Sequence, residues 1–225
     1  MIVQIYTAQS AREALALAEV GVDHVGLTPA KLGLPGEIDE DTAAEAVRAL
    51  RGKAVSVALS VSSDLDEIVR MTTRVQPDIL HLCGEPGTVP PSAVASLRRR
   101  LPACKIMQAI AVTGSAAVDT ARAYADVSDL LILDSHTDEV AGVGAAGVVH
   151  DWDISARIVA SVGIPVILAG GLSPENVAAA IATVQPWGVD SLTLTNRALP
   201  GGGFEKDLTR VADFVTNSRA ARVPA

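Results

Sequence analysis

Aromatic residues are nearly missing from this chain: Trp152, Trp187, Tyr6, Tyr124, Phe204 and Phe214 make up 3% of its 225 residues. Any core must be built from Val, Ile, Leu and Ala. A chain of this length can bury roughly 70% of its unfolded surface in one such core without disulfides or metal. Cysteine is scarcer still, and Cys83 and Cys104 are too few for a disulfide framework. The only lysines are Lys31, Lys53, Lys105 and Lys206, and the net charge is −8. That balance offers no basic face to a nucleic acid or an anionic membrane. The one basic run, Arg98 to Arg100, closes a helical stretch, where cations complement the helix dipole. No apolar run approaches the roughly 20 residues of a membrane span. The opening MIVQIYTAQS lacks the charged start and apolar centre of a signal peptide, so a cytoplasmic protein is expected.

What the sequence does contain is a repeat of short β-branched runs, each followed by a longer stretch with helical spacing. The strand runs are 2–6, 23–28, 54–60, 78–83, 105–110, 129–134, 164–170 and 189–195; helices fill 40–50, 91–101, 115–125, 154–162, 207–217 and the remaining gaps. Ser10 to Glu13 reads as a capping box, Ser63 to Asp66 as a second, and Ser173-Pro174-Glu175 as an N-cap followed by a first-turn proline. Eight strand–helix units predict a single α/β domain, a (β/α)8 TIM barrel over residues 1–225, with 218–225 as a frayed tail. The turn after the first strand, Tyr6-Thr7-Ala8-Gln9, lacks the glycines of a dinucleotide-binding fingerprint. The 135–152 segment is long for a compact domain and reads as a lid or binding loop.

In a barrel, chemistry belongs to the C-terminal strand ends and the loops that follow. The ends supply Tyr6, Thr28, Ser60, His81, Cys83, Gln108, Asp134 and Thr193 or Thr195; the loops add Lys31, His136, His150, Asp151, Arg197 and Lys206. Asp134 closes the apolar run DLLILD, where burial can raise a carboxyl into the range of a general acid. Tyr6 fits a hydrogen-bond donor, an aromatic wall or a core tyrosine, since its phenol is a poor base without cationic neighbours. His81 or His136 can serve as the base. Gly170 and Gly171, with Thr193, Thr195 and Gly202, suit a phosphate site. A Schiff-base lysine is disfavoured, with Lys53 and Lys105 at strand starts and Lys31 and Lys206 in loops. The histidines, at 24, 81, 136 and 150, show no close paired spacing, so neither metal nor cofactor is expected. Convergence of His81, Cys83, Asp134 and His136 into a metal-dependent epimerase site is kept as an alternative.

Four segments carry a family resemblance: VILAGGLSPENVAAAIATVQPWGVD (166–190), LHLCGE (80–85), LLILDS (130–135) and GVGAAGVVHDW (142–152). They resemble phosphoribosylanthranilate isomerase, the barrel enzyme of tryptophan biosynthesis, in a register that extends over nearly the whole chain. The resemblance implies aldose–ketose isomerisation of a phosphorylated sugar, with Asp134 as the acid that protonates the ribose ring oxygen. It also implies a substrate loop containing Gly144 and Gly147, and a monomer or homodimer. Departures fall at the chemistry. Tyr6 stands where the family has its basic cysteine, and Gly36 where it has the arginine that binds the substrate carboxylate. Val148 and Val149 replace a loop Lys-Thr, and Leu192-Thr193-Leu194 replaces a Ser-Ser-Gly phosphate element. The expected function is therefore an isomerase of this type with an altered substrate, and a non-catalytic sugar-phosphate-binding paralogue is the alternative.

Overall fold

The computed structural model describes residues 1–135, 142–144 and 149–221. Eight parallel strands close into a barrel: β1 (Ile2–Ile5), β2 (His24–Leu27), β3 (Val55–Ser60), β4 (Ile79–Leu82), β5 (Lys105–Ala111), β6 (Leu130–Asp134), β7 (Val166–Leu168) and β8 (Gly188–Ser191). Each is hydrogen-bonded to its sequence neighbour, and β8 returns to β1 through Gln4↔Asp190 and Ile5↔Ser191. The helices between and after them are α1 (Ala11–Glu19), α2 (Glu40–Leu50), α3 (Leu65–Val75), α4 (Pro91–Arg100), α5 (Ala117–Ala125), α6 (Trp152–Ser161), α7 (Val177–Val184) and α8 (Leu208–Ala220).

Strand side chains alternate between two cores, as the period of two requires. Val57, Ile79, Met107, Leu130, Ile132 and Ile167 fill the barrel interior. Their neighbours Leu80, Ile106, Leu131, Leu133 and Leu168 face the helices, where Leu17, Ile68, Leu97, Ile158, Ile181 and Phe214 meet them. Each such buried side chain contributes about 1.5–3 kcal/mol. An all-aliphatic barrel is thus filled with almost no aromatic help.

Local chemistry explains most departures from the sequence expectations. The third helix is capped by Asp64, not Ser63: its carboxylate accepts the Asp66 and Glu67 amides. Ser10 does cap α1, accepting the Glu13 amide at 3.1 Å, but the Glu13 carboxylate turns outward to the amides of Gln9 (2.7 Å) and Lys206 (2.8 Å). The Ser173 hydroxyl accepts the Glu175 amide within a turn, and α7 begins only at Val177. The eighth strand ends at Ser191. Leu192 leaves extended geometry, and Thr193–Thr195 form a 3-10 turn in which the Thr195 hydroxyl donates to the Leu192 carbonyl at 3.0 Å. Residues 200–203 include Gly202. They tip an antiparallel hairpin, β9 (Asn196–Ala198) with β10 (Phe204–Lys206), and place Lys206 on a strand rather than in a loop. The last helix runs through Ala220, beyond the expected start of a frayed tail, because Ser218 is buried and donates to the Phe214 carbonyl at 2.7 Å.

Candidate active site

Tyr6 leaves β1 and turns inward, and its ring lies across Gly26 of β2. A Cβ at Gly26 would sit 2.3 Å from that ring, so a glycine in mid-strand is what makes room for tyrosine. The phenol is hydrogen-bonded to Nδ1 of His81 at 2.9 Å, with the two rings 5.6 Å apart. Burial holds the Tyr6 pKa well above 10 and pushes His81 down to about 3. Both groups are therefore neutral, and Tyr6 is not a base. The shared hydrogen bond orients the imidazole, with the phenol donating when His81 carries its proton on Nε2, and Nε2 has no partner among the described residues.

Asp134 ends β6 beside them. Its Oδ1 accepts the Ser135 amide at 2.7 Å and the Ser135 hydroxyl at 3.3 Å. Those bonds favour the ionised form, but burial outweighs them and raises the pKa to about 7. Gly144 packs against it: with φ at +107°, a Cβ would lie 2.6 Å from Oδ2. A second carboxyl, which the sequence reading passed over, faces the same space from β8. Asp190 is buried, accepts the Gln4 side-chain amide at 3.1 Å, and is pushed up to about 8 by burial and by the charge of Asp134. Gln4 passes the contact on to His24 at 3.3 Å deeper in the barrel.

These side chains line one cavity at the C-terminal mouth, walled by Thr28, Leu34, Pro35, Leu59, Val61, Cys83, Ile132, Val143, Gly144 and Leu192. A smaller adjoining pocket is lined by Gly170, Gly171, Leu172, Ser191, Thr193 and Leu194, and shares Asp134, Asp190 and Leu192 with the first. Gly170 and Gly171 have φ of +82° and +61°, a backbone that turns successive amides to one side and suits an anion.

Other candidates lie elsewhere. Thr195 is buried in its turn; Gly202 is exposed at the hairpin tip; Arg197 is exposed and paired with Glu205 at 2.6 Å. Lys31 is exposed on an adjoining groove by α2 and α3, which Ser60 also lines and which shares Leu59 and Val61 with the mouth cavity. Gln108 points outward from β5 and donates to the Ala109 carbonyl at 2.9 Å. His136 and Gly147 lie outside the described residues. Gly36 has φ of +67°, and a Cβ there would meet Thr7 at 2.2 Å, so no arginine fits that position in this conformation. Among the described residues no three His, Cys, Asp or Glu are grouped to hold a metal. Both cysteines are free, with Cys83 at the mouth and Cys104 before β5.

Lys206 lies on β10 rather than in a loop, with its side chain turned inward. Its buried Nζ donates to the carbonyls of Tyr6 and, at 3.2 Å, Leu192, and to Oδ1 of Asn196 at 2.5 Å. Three acceptors match the three N–H bonds of an ammonium. Burial pushes its pKa down to about 7, while Asp190 and Glu13 support the charge. It ties the ends of β1 and β8 together beneath the site.

Two carboxyl groups buried together at the C-terminal mouth of a closed barrel, both raised toward neutrality by burial, point to the class: a (β/α)8-barrel enzyme of acid–base chemistry. The family model for N-(5'phosphoribosyl)anthranilate isomerase matches residues 3–216. The N-(5'-phosphoribosyl)anthranilate isomerase of Methanocella arvoryzae is 31% identical over 220 residues, covering 98% of this chain and 99% of its own. Two solved structures share the fold. The Thermotoga maritima phosphoribosyl anthranilate isomerase has a TM-score of 0.78 at 26% identity, covering 97% and 99% of the two chains. Another such isomerase, in complex with reduced 1-(o-carboxyphenylamino)-1-deoxyribulose 5-phosphate, has a TM-score of 0.77 at 24% identity, covering 97% of this chain and 99% of its own. The chain belongs to the phosphoribosylanthranilate isomerase family, a family of intramolecular aldose–ketose isomerases. None of its described helices is long and apolar enough to cross a membrane.

Proposed function

We propose that this chain converts an N-substituted aminoaldose 5-phosphate into the corresponding aminoketose, using Asp134 as acid and Asp190 as base. The observation that carries this reading is the coupling of the two carboxyls across one mouth. Burial raises both, to about 7 and about 8, and the charge of Asp134 adds to the rise at Asp190, so near neutrality the pair holds about one proton. Asp134 takes the acid role because it stands at the family's acid position, which leaves Asp190 as the base; the Gln4 amide and the charge of Lys206 favour the Asp190 carboxylate against the burial that raises it.

Asp134 gives that proton to the ring oxygen, the C1–O bond breaks, and the nitrogen lone pair forms an iminium. Asp190 takes the C2 proton, and the C2–H electrons move to the C1–C2 bond, neutralising nitrogen. Return of a proton to C1 with loss of the O2 proton gives the ketone and resets the pair. His81, held by Tyr6, offers Nε2 to a substrate hydroxyl. The amides around Gly170, Gly171 and Thr193 hold the phosphate, and Gly144 brings the long loop against the acid.

Asp134→Asn and Asp190→Asn should each lower kcat by about 10²- to 10⁴-fold, the usual contribution of one general acid or base. Affinity for a phosphorylated product analogue should be retained. Full activity in either variant would remove that residue from the mechanism. Absence of turnover in the wild type across aminoaldose and pentose phosphates would leave a non-catalytic binding protein.

A further inference from the structure

Lys206 is a buried charge that the acid–base steps leave unused. Its Nζ donates to the carbonyl of Tyr6, to the Leu192 carbonyl at 3.2 Å and to Oδ1 of Asn196 at 2.5 Å. Three oxygen acceptors call for three N–H donors, which a neutral amine lacks, so the group held here is the ammonium. The strand that carries it is itself pinned to the start of α1. Glu13 accepts the Lys206 amide at 2.8 Å, and the Gln9 side chain donates to the Phe204 carbonyl at 2.8 Å.

The Leu192 carbonyl is the focus of these bonds, since it also accepts the Thr195 hydroxyl at 3.0 Å and the Thr195 amide at 3.4 Å. The same peptide unit carries the Thr193 N–H. In a trans peptide that N–H points away from the carbonyl, and Thr193 lines the small pocket with Gly170 and Gly171. A cation on the carbonyl polarises the peptide and makes the N–H at its far side a stronger donor. Arg210 also bonds a carbonyl of this segment, Leu194 at 2.8 Å, but its charge is met by Glu175 at 3.0 Å. We propose that Lys206 is a positioning residue for the phosphate: through the Leu192 peptide, its ammonium aims and strengthens the Thr193 amide toward an anion resting on Gly170 and Gly171. This rests on the reading of that pocket as the phosphate site and adds to it the source of its positive charge.

The test is a titration of inorganic phosphate into the full chain, with the backbone amide resonances followed by NMR. A pH of about 6.5 keeps the lysine charged, since burial lowers its pKa only to about 7. In the wild type the Gly171 and Thr193 amides should move together with one dissociation constant. In Lys206→Met, with folding checked by a thermal melt, phosphate should bind at least about tenfold more weakly; at saturation Gly171 should still respond, and the Thr193 response should fall by about half or more. Asn196→Asp keeps the lysine in place but neutralises it with a carboxylate of the same size. It should weaken phosphate by about threefold or more, and it decides the matter if Lys206→Met does not fold. A Thr193 amide that stays still while Gly171 moves would overturn the proposal and leave the phosphate pocket standing; stillness of both would end the phosphate reading and the proposal together. Unchanged affinity in the folded variants, or equal loss of both responses in Lys206→Met, would overturn it in favour of a purely structural clasp between β1 and β8.

Discussion

At the scale of single residues, the mouth is shaped by two glycines that make room for neighbours. Gly26 accommodates the Tyr6 ring and Gly144 the Asp134 carboxylate. A Cβ at 144 would both strain the left-handed backbone and displace Oδ2, at a cost of about 1–3 kcal/mol. Gly144→Ala should therefore lose stability in urea titrations and lose kcat more than KM, since the displaced group is the acid. A variant with wild-type kcat would show that Asp134 is not held by this contact. The carboxyl pair makes a second claim. With apparent pKa values near 7 and 8, kcat/KM should follow a narrow bell over that range. Asp190→Asn should abolish one limb in the remaining activity, and an unchanged bell would assign the titration to other groups.

At the scale of elements, the opposite end of the barrel shows a repeat that stabilises rather than reacts. Asp23, Asp78 and Asp129 precede β2, β4 and β6, and each carboxylate accepts an amide of the preceding strand: Val3, Ser56 and Ile106, all at 2.8 Å. Ser56 returns a hydroxyl bond to Asp78 at 2.7 Å. These clasps fix the register where strands enter. Asp78→Ala should lower unfolding free energy by about 1–2 kcal/mol, because the Ser56 amide and hydroxyl lose their acceptor. It should leave kcat unchanged, since it lies at the end of the barrel away from the mouth. Loss of activity without loss of stability would contradict that division of labour.

The strand runs made this much of the barrel readable, because a parallel strand buried on both faces is apolar along its length. Asp134 stood out as a carboxyl ending such a run. Asp190 and Lys206 did not, for one shared reason. The alternating run Leu192-Thr193-Leu194-Thr195 reads as more strand, but Thr195 folds its hydroxyl back on Leu192 and turns the chain. Extending the eighth strand by four residues moves its apparent mouth past Asp190, and the hairpin that follows has the sequence of a loop. A turn closed by one threonine leaves no periodic signal, and neither does the inward direction of a lysine.

At the scale of the whole molecule, the site's ionisation is linked to folding. Asp134 and Asp190 titrate near 7 and 8 in the fold, against roughly 3.9 in an unfolded chain. Between these values the folded state binds more protons than the unfolded one, so their contribution to stability falls as pH rises from about 4 to about 8 and is constant above. Two buried histidines and the half-buried His150 act oppositely over a lower window. His81 is held down to about 3, and His24 and His150 to about 4, by burial, so stability grows as pH rises from there to about 6.5. Comparison of the wild type with an Asp134→Asn, Asp190→Asn double variant cancels the histidines. The wild type should lose several kcal/mol relative to the double variant between pH 4 and pH 8.5, measured by urea unfolding at each pH. A parallel pair of curves would show that neither carboxyl pays for its burial, and would take away the electrostatic basis for the acid–base pair.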